Sequence, residues 1–74
     1  MKLYFENRFG EARQIAECKD QQEVFKEIHK FIADCNKGKP KDRQFKSYYT
    51  REWIEGDKTW YDVGSHTEFF YTVQ

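Results

Sequence analysis

Aliphatic side chains are scarce in this chain: Leu3 is the sole leucine, beside four isoleucines and three valines. No apolar run approaches the ~20 residues that cross a bilayer, so no membrane span is expected. The opening residues show no signal-like or lipidation pattern, and a cytoplasmic location is the expectation. The two cysteines, Cys18 and Cys35, fit reduced thiols better than a secreted disulfide framework. Together with His29 and His66 they exhaust the soft ligands, and none is spaced as a metal knuckle, so no metal or other cofactor is expected. The four glycines, Gly10, Gly38, Gly56 and Gly64, stand apart from one another, which excludes a phosphate-cradling glycine-rich loop. Net charge is also missing: thirteen basic residues balance thirteen acidic ones, so no global field draws the chain to nucleic acid or anionic membrane.

What the chain does have is rings. Seven Phe, five Tyr and two Trp must build most of the core of a 74-residue single domain (residues 1–74), and at this size burial is thin. Charge is divided locally. Residues 37–46 carry Lys37, Lys39, Lys41, Arg43 and Lys46 against Asp42 alone, whereas residues 47–74 are acidic on balance.

The segment from Asp20 to Gly38 is the one stretch with helical periodicity. Val24, Phe25, Ile28, Phe31, Ile32 and Cys35 fall on one stripe, and the spacing predicts an amphipathic helix. Asp20 and Glu23 have the spacing of a capping box, and Gly38 with Pro40 ends the helix. Residues 2–7 alternate as a strand, Gly10 suits a hairpin loop, and residues 12–18 read as its partner. On that partner Ala16 and Cys18 are placed beneath the helix, with Ile15 facing elsewhere. The last thirty residues hold nine of the fourteen rings in strand-like runs. Gly56 before Asp57 matches a type II′ turn, which sets Arg51 opposite Asp62, Glu52 opposite Tyr61, Trp53 opposite Trp60 and Ile54 opposite Thr59. A second tight turn at Gly64 and Ser65 would set Trp60 opposite Phe69 and Tyr61 opposite Glu68. The order is ββαβββ, an α+β fold in two layers with one helix packed on a mostly antiparallel sheet.

One helix covers one face of such a sheet. In the predicted register Trp53, Trp60 and Phe69 share one face, while Tyr48, Glu52, Ile54, Tyr61, Val63, Glu68 and Phe70 share the other. A row of Glu52, Tyr61 and Glu68 wants water, which directs the tryptophan face under the helix. The other face is then the candidate contact surface, with Tyr48, Glu52, Tyr61 and Phe70 as its residues and Lys39, Lys41 and Arg43 as a charged rim. No catalytic group is expected: Ser65 and His66 are chain neighbours without an orienting base, and Glu52 with Glu68 reads as a solvated acidic pair. The expected activity is binding of a protein partner or of a second copy as a homodimer. The alternative is a small nucleic-acid or nucleotide-binding module using loop 37–46, with an anti-defence role; the acidic sheet opposes it.

The closing run Trp60-Tyr61-Asp62-Val63-Gly64-Ser65-His66-Thr67-Glu68-Phe69-Phe70, with the opening Met1-Lys2-Leu3-Tyr4-Phe5, resembles short uncharacterised proteins of tailed bacteriophages and prophages of Gram-positive bacteria. That resemblance implies a non-enzymatic accessory protein of the bacterial host cytoplasm that binds a host or defence component. It carries no residue roles with it.

Overall fold

The computed structural model describes residues 1–45, 50–65 and 67–73. Five strands, β1 (Lys2–Glu6), β2 (Ala12–Glu17), β3 (Arg51–Glu55), β4 (Lys58–Asp62) and β5 (Phe69–Val73), and one helix, α1 (Gln21–Asn36), follow the expected ββαβββ order. The strands form one sheet in the order β2-β1-β5-β4-β3, with every neighbouring pair antiparallel. Because β2 and β3 lie at opposite edges, the connection through α1 has to cross the sheet. That crossing makes a two-layer fold of a single helix and a single sheet.

Local chemistry sets the ends of α1. The Asp20 side chain accepts a 2.9 Å hydrogen bond from the Glu23 amide, and the Glu23 carboxylate reaches back to the Lys19 amide at 2.8 Å. Lys37 is the C-cap, and Gly38 follows in the left-handed region (φ 78°). Asn36 then accepts from the Phe45 amide and donates to the Phe45 carbonyl, both at 2.6 Å, which ties the basic loop to the end of the helix. The stripe behaves as its periodicity requires: Val24, Ile28 and Ile32 are buried, and Phe25 and Phe31 pack against the same cluster.

The β3–β4 hairpin keeps the predicted register at every pair from Arg51–Asp62 to Ile54–Thr59. Gly56 has φ 66° and no non-glycine residue has positive φ among the described residues, as a type II′ turn demands. Two other expectations need correction. The turn after β4 is wider than Gly64-Ser65, since Asp62 accepts from the Gly64 amide and the Ser65 hydroxyl accepts from the Glu68 amide. Tyr61 therefore pairs with Phe70 and Trp60 with Tyr71, a slip of two residues that preserves the facing of each side chain. On β2, Ala16 and Cys18 do lie under the helix, but the register breaks opposite Leu3/Tyr4, and Ile15 also packs against the core. A bulge re-aims one residue in this way.

The largest correction concerns the faces. Helix α1 packs on the face bearing Leu3, Tyr61 and Phe70, with Val63 just beyond β4. Phe25 meets Tyr61 edge-on at 5.6 Å, and Phe31 meets Phe70 edge-on at 5.7 Å. The tryptophans lie on the opposite face. No helix among the described residues is long and apolar enough to cross a membrane.

Candidate functional site: the helix-free aromatic face

Alternation along the strands puts Tyr4, Tyr71, Trp60 and Trp53 on the side away from α1. Cross-strand pairing lines them up: Tyr4 opposes Tyr71, Tyr71 opposes Trp60, and Trp60 opposes Trp53. One row of four rings thus crosses β1, β5, β4 and β3. Tyr4 and Tyr71 stack with centroids 5.0 Å apart and planes 10° apart. Trp60 follows Tyr71 at 4.7 Å, and Trp53 is stacked on Trp60 at 6.3 Å with planes 11° apart. Phe69 closes the row from the side, meeting both tryptophans edge-on at 6.4 Å.

The stacking decides how the rings stand. Neighbouring strands are about 4.8 Å apart, so side chains that stack across them must rise from the sheet on edge. In the Tyr4–Tyr71 and Trp53–Trp60 pairs the flat faces meet one another, while Trp60 and Tyr71 between them are tilted by 46°. Cations take up part of the π surface that remains: the Lys58 ammonium lies 4.7 Å from the Tyr71 centroid, and the Arg51 guanidinium lies 5.6 Å from that of Trp53. Arg51 also pairs with the buried Asp62 carboxylate at 3.0 Å, which pins the guanidinium beside the row. Shielding within the row leaves Tyr71 buried and Tyr4, Trp60 and Phe69 half-buried, with Trp53 the most open at 36% exposure.

The sequence-predicted contact residues are not brought together. Tyr61 and Phe70 are 2% and 0% exposed, sealed under α1 within this one chain, so they form no contact surface. Burial pushes the Tyr61 phenol above its ordinary value, and nearby Glu52 adds to the shift. Glu52 is exposed, on the helix side of β3, where it accepts a hydrogen bond from Gln21. Tyr48 lies outside the described residues. Lys39, Lys41 and Arg43 are exposed in the loop and 3-10 turn after the helix. Lys39 and Arg43 border a depression of about 520 Å3 with Phe5, Cys35 and Phe45. Those three belong to the helix side, so these cations do not rim the aromatic face.

Compared with protein-family models, curated proteins and solved structures, the chain matches none. The geometry has to speak for itself.

Among the described residues, no group of three or more His, Cys, Asp or Glu side chains is placed to hold a metal ion. Cys18 is buried in the core, and burial, with Glu27 and Glu23 adding to it, raises its thiol pKa, which disfavours the nucleophilic thiolate. Both cysteines are free thiols. His29 is exposed on α1, and His66 lies outside the described residues. Glu68 turns to its own loop, accepting from the Ser65 and Thr67 hydroxyls, and does not pair across Tyr61 with Glu52.

A signal for the face that α1 leaves open was present in the sequence. In the hairpin register Trp53 and Trp60 share their face with Arg51, Glu55, Lys58 and Asp62, whereas the other face carries only Glu52 among charged residues. Four charges beside two tryptophans mark a wet face, and an indole tolerates a half-exposed position better than a phenylalanine does.

Proposed function

We propose that this chain is a non-enzymatic binding module whose contact surface is the helix-free aromatic face, and that it acts as an accessory protein by engaging another protein. One observation carries the reading: a continuous row of four rings across four strands stands on a sheet face that no element among the described residues covers. Aromatic residues are the types enriched at binding hot spots, and the flanking Arg51, Lys58 and Glu55 supply a polar rim of mixed sign. The phage or prophage setting rests on the sequence resemblance alone, and the cytoplasmic location on that resemblance together with the signal-free reading of the sequence.

The alternative, single-stranded nucleic acid on an aromatic platform, has two physical obstacles. Base stacking needs an open π face, and the two stacked pairs turn theirs to one another, with the Arg51 guanidinium over Trp53 at the edge. Phosphates need a local excess of cations, and beside the row Arg51 and Lys58 are offset by Asp62 and Glu55, while the loop cations sit on the helix side.

Two measurements test the reading. A photo-crosslinking side chain placed at Trp53 or Phe69 yields a discrete protein adduct that the same group at Lys26, on the wet side of α1, does not yield, and Trp60→Ser suppresses that adduct. Equal crosslinking from all three positions contradicts the proposal. Single-stranded oligonucleotides titrated at low salt leave the tryptophan emission unchanged; a salt-steep affinity would replace the protein-binding reading with the alternative.

A further inference from the structure

Strand β3 is an edge of the sheet, with β4 as its sole neighbour among the described residues, and all five of its residues are exposed. The opposite edge, β2, is interrupted by a bulge; β3 pairs with β4 without one. An unbulged, exposed edge strand is a template for another strand.

The register of the hairpin settles which backbone groups face outward. The residues flanking a two-residue turn exchange both backbone hydrogen bonds, and bonded pairs then alternate with non-bonded ones along the ladder. Glu55, Trp53 and Arg51 therefore turn their N–H and C=O groups toward β4. Glu52 and Ile54 turn theirs to the open edge, and the Ile54 side chain is 79% exposed there.

We propose that β3 pairs antiparallel with β3 of a second copy, centred on Trp53, which joins two sheets into one ten-stranded sheet. The proposal deepens the reading of the chain as a binding module, rests on it, and names a second copy as the occupant of this edge. The sequence Arg51-Glu52-Trp53-Ile54-Glu55 is self-complementary about its centre. Glu52 of each copy exchanges two backbone hydrogen bonds with Ile54 of the other. Trp53 faces Trp53 in a non-bonded pair, where side chains approach most closely. Arg51 of each copy faces Glu55 of the other. Within each chain Arg51 already opposes Asp62, and Glu55 opposes Lys58. The row across the junction then reads Asp62, Arg51, second-copy Glu55, second-copy Lys58, with alternating charge throughout, and it occurs twice by symmetry. Between the two charged rows the rings continue unbroken from Tyr4 of one copy to Tyr4 of the other.

Rival registers lack this match. Centring on Glu52 sets like charges face to face and Arg51 against the second Trp53. Centring on Ile54 sets Glu55 against Trp53 and removes the Arg51 partner.

Sedimentation velocity over a wide range of protein concentration, with amide exchange followed by NMR, tests the pairing. The expected result is a reversible dimer in which the Glu52 and Ile54 amides are protected when concentrated and exchange freely when dilute, while the Trp53 amide is protected at both. Ile54→Pro removes an outward N–H without touching the β4 ladder and yields a folded monomer, whereas Ile54→Thr still dimerises. Glu55→Arg sets two guanidinium groups together and also yields a monomer. A mixture of Glu55→Arg chains with Arg51→Glu chains restores the dimer as a heterodimer, since both charged pairs across the junction are again opposite in sign. A wild-type chain that stays monomeric at all concentrations overturns the inference, as does a dimer that persists in both Ile54→Pro and Glu55→Arg. A crosslinking group at Trp53 would also capture the second copy, so the binding reading is judged at Phe69, two strands inside the edge, and failure of the edge pairing and failure of the binding reading are separable.

Discussion

Replacing Phe70 by alanine and, separately, its chain neighbour Phe69 by alanine asks the sheet directly which of its faces holds the fold together. Phe70 is fully buried and packs against Phe5 at 5.3 Å, Phe31 at 5.7 Å and Phe45 at 6.3 Å. Removing such a ring costs about 3–5 kcal/mol, from lost transfer energy and the cavity left behind. A domain of 74 residues holds about 4–11 kcal/mol in all, so Phe70→Ala consumes much or all of it. Phe69 is half-buried and touches only the two tryptophans edge-on among its ring neighbours, so its removal costs about 1–1.5 kcal/mol. Urea denaturation followed by far-UV circular dichroism is the assay, because tryptophan emission would respond to Phe69 itself. With a slope of about 1 kcal/mol per molar urea, the midpoint falls by roughly 3–5 M for Phe70→Ala and by about 1 M for Phe69→Ala. An equal or larger loss for Phe69→Ala would refute the face assignment.

Four further outcomes follow from the same geometry. Asp20→Ala, which removes the acceptor for the Glu23 amide, lowers stability by about 1 kcal/mol in the same titration. Gly56→Ala meets no neighbouring atom, so its loss of about 1–2 kcal/mol comes from the positive φ alone, and a loss of zero would mean that the turn is not left-handed there. Alkylation of the native protein labels Cys35, which is partly open, and reaches the buried Cys18 only after denaturant is added; mass spectrometry after trypsin counts the two sites. Burial raises the pKa of both Cys18 and Tyr61 above the unfolded values, so the folded chain holds protons that the unfolded chain releases. Stability from these groups is therefore fully present below about pH 8.5 and declines as pH rises through about 10 and above, and a flat pH–stability profile across that window would contradict their burial.

Much of the fold was legible because short-range chemistry fixed it. Asp20 and Glu23 announced the start of α1, and the stripe from Val24 to Ile32 announced its buried side. Gly56-Asp57 set the β3–β4 register without help from tertiary contacts. Where two interactions compete, the sequence pattern misled. The Gly64-Ser65 pair looks like a two-residue turn, but the Asp62 and Ser65 side chains bond the backbone of a longer loop whose Ser65 and Thr67 hydroxyls donate to Glu68, and the register moves by two. That slip removes Glu68 from Tyr61 and gives it Phe70, leaving Glu52 as its acidic cross-strand neighbour. The expectation of a solvated Tyr61 depended on the row of Glu52, Tyr61 and Glu68, so the candidate site was placed on the side of the sheet that α1 covers. Its residues Tyr61 and Phe70 turned out to be core, and the rings that stand free, Trp53, Trp60 and Phe69, were assigned to the core. The strand order, which brings β1 beside β5 and extends the ring row to Tyr4, depends on long-range pairing that no local pattern encodes.

The account stands or falls on which rings face α1, and a nuclear Overhauser spectrum of the aromatic side chains reads this without any substitution. Cross-peaks between Phe25 and Tyr61 and between Phe31 and Phe70, with none from either helix ring to the indoles of Trp53 or Trp60, are the predicted result. Cross-peaks from Phe25 or Phe31 to the indoles, with Tyr61 and Phe70 open to a paramagnetic agent in solution, would contradict it.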